Sequence, residues 1–70
     1  MIKMNTEGIL DFRQGLINAA GSGNLEVVEL LANKEGIMDD DILQAIDEAI
    51  IENYPHVVEY LQEVLRLRRS

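Results

Sequence analysis

The sequence has no cysteine, no tryptophan, one proline and one histidine, and its only aromatic side chains are Phe12, Tyr54 and Tyr60. Without cysteine there are neither disulfides nor thiolate zinc sites. No apolar run approaches the roughly 18 residues that a membrane-spanning helix needs. The opening stretch MIKMNTEG lacks the continuous apolar centre of a signal peptide. These absences lead to the expectation of a soluble cytoplasmic protein that carries no metal or cofactor. Basic residues are missing from the middle of the chain. Glu35 to Glu63 holds nine acidic residues and no Lys or Arg, within a formal net charge of −7. Such a field disfavours nucleic-acid backbones and anionic membranes. It favours a partner protein with a basic surface.

What is present is enough for one small folded domain. The hydrophobic fraction is 47% over 70 residues, too high for a disordered chain. Chains of this size bury only about 60% of the surface that their unfolded form exposes. The apolar spacing follows a helical period throughout, and no segment sustains alternation of period two. Ile9, Phe12, Leu16, Ala19 and Ala20 form one stripe, which predicts a helix from about Thr6 to Ala20. Gly21, Ser22 and Gly23 are expected to stop it. Asn24 is placed to cap a second helix from Leu25 to about Asn33, which Gly36 is expected to end. Ile42, Leu43, Ile46, Ala49 and Ile50 predict a third, over about Asp40 to Glu52. Asn53 then suits a left-handed turn and Pro55 the first position of a fourth helix. Val57, Val58, Leu61, Val64 and Leu65 form the stripe of that helix. Arg66, Arg68 and Arg69 are expected to complement its carbonyl pole.

Two of these segments repeat. Ala19 to Leu31 reads AAGSGNLEVVELL, and Ala49 to Leu61 reads AIIENYPHVVEYL. At a spacing of thirty, Ala19 matches Ala49, Val27 and Val28 match Val57 and Val58, Glu29 matches Glu59, and Leu31 matches Leu61. This pattern resembles the central signature of the ankyrin repeat. The matching positions are Leu16, Ala19, Ala20, Gly23, Leu25, Val27, Val28, Leu30 and Leu31, with Asn53 and Pro55 replacing Gly23 and Leu25 in the second copy. The threonine-proline-leucine-histidine opening of the family motif is absent. The resemblance implies an all-α fold of two stacked helix-turn-helix hairpins, about 6–34 and 40–68. The short period leaves little or no room for a β-hairpin finger. It also implies a binding module rather than an enzyme.

Little here offers chemistry. His56 is the only histidine, and no serine stands at a recognisable nucleophile spacing from it. Asp39, Asp40 and Asp41 invite a metal reading but lack the alternating ligands of a calcium loop. Capping of the third helix accounts for them. Asp47 and Glu48, with Glu52, extend the acidic field along that helix. The expected function is a small acidic interaction module, an adaptor or inhibitor that docks on a basic protein surface. Asp39, Asp40, Asp41, Asp47 and Glu48 are the candidates for steering the encounter. Tyr54 is either the aromatic anchor or a ring packed over the neighbouring hairpin turn. The alternatives are a self-associating unit, such as a homodimer through an apolar end of the stack, and an inhibitor that mimics nucleic acid, of the immunity, antitoxin or anti-defence kind.

Overall fold

The computed structural model describes residues 6–69, with side chains from Phe12 to Arg69. Four helices run in order: α1 (Thr6–Ser22), α2 (Leu25–Ala32), α3 (Asp39–Ile51) and α4 (Pro55–Arg68). There is no strand among the described residues. Asn33–Met38, the link between α2 and α3, consists of short turns. Lys34 N–H donates to the Leu31 carbonyl, Ile37 N–H donates to the Lys34 carbonyl, and Gly36 adopts a φ of 92°. The fold is therefore all-α, and the link forms no β-hairpin.

The two interhelix turns are copies of each other. Asn24 N–H donates to the Ala19 carbonyl at 2.9 Å, and Tyr54 N–H to the Ala49 carbonyl at 2.8 Å. One residue earlier, Gly23 N–H reaches the Ala20 carbonyl and Asn53 N–H the Ile50 carbonyl. This pair of bonds is the Schellman arrangement, which satisfies the last carbonyls of a helix. It needs a left-handed residue, supplied by Gly23 at φ 74° and by Asn53 at φ 67°. Asparagine tolerates that region better than most residues with a Cβ. Gly21 and Ser22, expected to break the first helix, instead form its last two positions, and Gly23 alone makes the stop. The second helix ends at Ala32, with Asn33 as its cap, so Gly36 shapes the link and not the helix end. The two second helices also begin differently. Asn24 Oδ1 accepts from Val27 N–H, whereas Tyr54 provides no side-chain cap and Pro55 opens α4.

Packing joins α1 to α2 and α3 to α4 as hairpins, and α1 to α3 and α2 to α4 between them. Arg13 meets Asp41 near one end of the α1–α3 seam, and Gly21 lies against Glu48 near the other. The paired positions advance together, so α1 and α3 run parallel and one hairpin is stacked on the other. Small residues make the close approach feasible, since Ala19, Ala20, Ala45 and Ala49 are all buried. Leu16, Val28, Ile42, Val57 and Leu61 are the largest fully buried side chains and form one continuous core. No polar residue is buried as a whole among the described residues; the buried polar atom Arg13 Nε makes no hydrogen bond and has the charge of Asp41 beside it to offset its desolvation.

Burial separates residues that the repeat makes equivalent. Val28 is fully buried while Val58 is half-buried; Val57 is fully buried while Val27 is half-buried. The reason is position in the stack. Val28 and Val57 lie on the two faces that meet. Val27 and Val58 lie on the two faces that do not.

Arg68 ties this arrangement together from the far end of α4. Its Nη1 donates to the Ile37 carbonyl at 2.9 Å and to Asp39 Oδ1 at 3.2 Å, and its Nη2 to the Ala32 carbonyl at 3.4 Å. The guanidinium thus serves the carbonyl end of α2 and the link after it, and not only its own helix end as expected. Three acceptors in different directions match a planar fork and not a single ammonium. Arg68→Ala is expected to cost about 1–2 kcal/mol in urea unfolding, with Arg68→Lys recovering less than half, because hydrogen bonds from a charged donor are worth more than neutral ones.

Candidate functional site

The acidic residues of hairpin 2 sort into those engaged within the chain and those facing outward. Asp41, at the third position of α3, accepts the Met38 N–H at 2.9 Å through Oδ2. The same oxygen lies 3.4 Å from Arg13 Nε, an ion pair across the α1–α3 seam without hydrogen-bond alignment. Asp39 is held by Arg68. Asp39 and Asp41 therefore act as structural groups at the start of a helix, where negative charge also favours the dipole. Asp40, between them, is exposed. Asp47 stands two turns further on the same side of α3 and is also exposed. Glu48 is half-buried against the Gly21 backbone of α1. The five candidate carboxylates thus do not form one cluster. Asp40 and Asp47 share an outer side, Asp39 and Asp41 are held by Arg68 and Arg13, and Glu48 sits in the α1–α3 seam.

No ion pair among the described residues uses Asp40, Asp47, Glu52 or Glu59, and all four are exposed. Three of the described basic residues lie on neighbours: Arg13 on Asp41, Arg68 on Asp39 and two carbonyls, and Lys34 over the Phe12 ring at 5.5 Å from its centre. Glu63 and Arg66 form a two-pronged pair on the surface of α4. The hydrogen bonds from Arg66, and then its charge, hold the Glu63 carboxyl below its ordinary range, and Glu63 in turn raises Arg66. A carboxyl lowered in this way contributes above the ordinary carboxylate range and loses the contribution as pH falls through its folded value. Both groups are fully solvated, so the pair contributes little to stability.

Tyr54 is half-buried and packed over the first hairpin's turn. A Cβ placed on Gly23 would stand 2.5 Å from ring atoms Cδ1 and Cε1. Of the two readings open from the sequence, the structure displays the packed ring. The His56 ring meets it edge-on, with centres 6.3 Å apart. The other side of the Tyr54 turn borders a surface hollow of about 260 Å³, lined by Ala49, Ile50, Asn53, Tyr54, Pro55, Val58 and Glu59. The sequence places Ile50 in the apolar stripe of the third helix and matches Glu59 to Glu29, but makes neither a candidate site residue; Ile50 is in fact exposed at the rim of this hollow. The available signal was the alignment of bulky Ile50 with small Ala20, a mismatch at an otherwise repeated position.

The described residues contain no group of three or more His, Asp or Glu side chains arranged to hold a metal ion. No helix among them is long and apolar enough to cross a membrane. Comparison of the chain with protein-family models, with curated proteins and with solved structures finds no match.

Proposed function

We propose that this chain is a small interaction module of ankyrin-repeat type that binds a basic surface of a partner protein, as an adaptor or inhibitor. The observation that carries this reading is the outward acidic side of hairpin 2. Asp40, Asp47, Glu52 and Glu59 are exposed and enter no ion pair among the described residues, whereas Arg13 and Arg68 are engaged within the chain. Uncompensated surface charge of one sign accelerates encounter with the opposite sign and rejects like-charged surfaces. The ankyrin-type reading draws support from the two matching turns, thirty residues apart, and from the parallel stacking of the hairpins.

The test is affinity capture from the native host at low salt, followed by surface plasmon resonance on the isolated partner across a salt series. Association is expected to slow as salt rises, because ions screen charges beyond about 8–10 Å at moderate ionic strength. Asp40→Lys with Asp47→Lys should slow association by about tenfold or more, with a smaller change in dissociation. Salt-independent association, unchanged by the double reversal, overturns the reading.

Self-association is the second reading, favoured by the 64% exposure of both Leu30 and Ile51. Sedimentation at micromolar concentration, with and without Ile51→Glu, decides it. A dimer lost in the variant supports it, and a monomer excludes it.

A further inference from the structure

The stack between the hairpins shows what one of these faces accepts, and the repeat carries that face to a place where it has no neighbour. Hairpin 1 meets hairpin 2 at Gly23, which lies against the Tyr54 ring, with Ala20 and Val28 fully buried and Leu25 half-buried around it. Thirty residues on, the same positions are Ile50, Asn53, Pro55 and Val58, which lie on the side of hairpin 2 turned away from hairpin 1. Ala20 is fully buried, whereas Ile50 is 58% exposed. Leu43 and Ile50, separated by two turns on this side of α3, are both exposed, and the half-buried Val58 continues the strip onto α4. The 260 Å³ hollow lies along this strip, beside the second turn.

Charge and shape restrict what can enter. Asp47 lies between Leu43 and Ile50 on α3, and Glu59 lines the hollow from α4; both are exposed and outside every ion pair among the described residues. The internal seam is crossed by opposite charges, Arg13 to Asp41. The open face has acids at its rim and awaits cations. Arg66 and Arg69 stand at the other end of α4, so the acids of this face, Asp47 and Glu59, lie at the end near the turn without a basic residue beside them. Aromatic filling of the internal kind is blocked, because the Tyr54 ring occupies the place where a Cβ on Gly23 would be, and Asn53 has that Cβ. A second copy of this chain would bring −7 against −7, and a two-fold arrangement would set Asp47 and Glu59 of both copies on one seam.

We propose that the outward face of α3 and α4 is a groove for an amphipathic helical segment of a partner protein, with an aliphatic stripe and Lys or Arg residues at one end. Helices recognised in this way present anchors at i, i+3, i+4 and i+7, matching the Leu43, Ile50 and Val58 strip. The proposal rests on the reading that the chain binds a basic partner, and it assigns the surface and the form of that partner.

The test uses three probes with the full chain, followed by amide chemical shifts. The first is a helical peptide about four turns long, with leucines at those spacings and lysines in one half. The second has the same residues scrambled, and the third is oligolysine. The expected result is shifts centred on Leu43, Ile50 and Val58, with the helical peptide bound about tenfold or more tightly than the scrambled one. Ile50→Glu should weaken it by a similar factor, while Leu30→Glu, on the opposite end of the stack, leaves it unchanged. Ile50 is solvent-facing, so circular dichroism of the variant should match the parent. Equal binding of the two peptides, or shifts around Val27 and Leu30, overturns the groove; oligolysine binding alongside either result leaves the charge-based reading standing. Absence of binding by all three overturns both. A dimer that Ile50→Glu dissociates overturns the groove in favour of a second copy.

Discussion

Gly23→Ala is expected to destabilise the protein by about 2–5 kcal/mol, from two separable causes. The backbone at Gly23 has a φ of 74°, and a residue with a Cβ in the left-handed region costs about 1–2 kcal/mol. The added methyl would also stand 2.5 Å from the Tyr54 ring. Displacing that ring from its seat is an overpacking effect of about 1–3 kcal/mol. Removal of the ring should leave only the backbone cost. In urea unfolding of the two single variants and Gly23→Ala/Tyr54→Ala, the double variant is expected to lose less than the sum of the singles, by about the overpacking amount. Additive losses would mean that the ring does not bear on the glycine. The same cycle serves the binding reading. Because Tyr54 joins the hairpins, loss of partner binding in Tyr54→Ala counts as loss of an anchor only if Gly23→Ala, which disturbs the same seat, leaves binding intact.

Leu61→Ala is expected to cost about 2–5 kcal/mol, the range for emptying a buried leucine site. A domain of this length has a total stability of about 4–10 kcal/mol, so the variant should be partly unfolded at room temperature or close to it. Leu31→Ala, the same substitution thirty residues earlier, should cost about half as much. Leu61 is fully buried in the core, whereas Leu31 is half-buried beside it, and the cavity cost scales with what surrounds the deleted atoms. Thermal and urea unfolding of the pair would check this. Equal losses would mean that the two repeats contribute equally and that the stack does not distinguish their faces.

The helices were legible because each carries its own signals. The stripe from Leu16 to Ala20, the Asn24 cap and Pro55 at the head of α4 all act within one or two turns. The turn at Asn53 was legible for the same reason, since few residues other than glycine adopt its φ. The end of α1 was misplaced by two residues. Gly21 and Ser22 are poor helix formers in isolation, but Gly21 lies against Glu48 of α3, and packing of this kind overrides propensity. Among the candidate site residues, the acidic field was visible as a count but not as a surface. Nothing in the run Asp39, Asp40, Asp41 tells which carboxylate faces out. Asp39 and Asp41 are held by Arg68 and Arg13, which lie 29 and 28 residues away in the chain, and only Asp40 is left outward.

The sequence by itself determined four helices, two copies of one hairpin and an excess of carboxylates in the second copy, because helical periodicity, turn chemistry and net charge are properties of neighbouring residues. Only the tertiary structure decided which member of each equivalent pair is buried. Val27-Val28 and Val57-Val58 are the same dipeptide in the same helical register, and no local rule separates them. Burial depends on which face of each hairpin meets the other, and each hairpin here has one neighbour among the described elements. That asymmetry fully buries Val28 and Val57, seats Tyr54 on Gly23, and leaves Ile50 exposed beside Asp47.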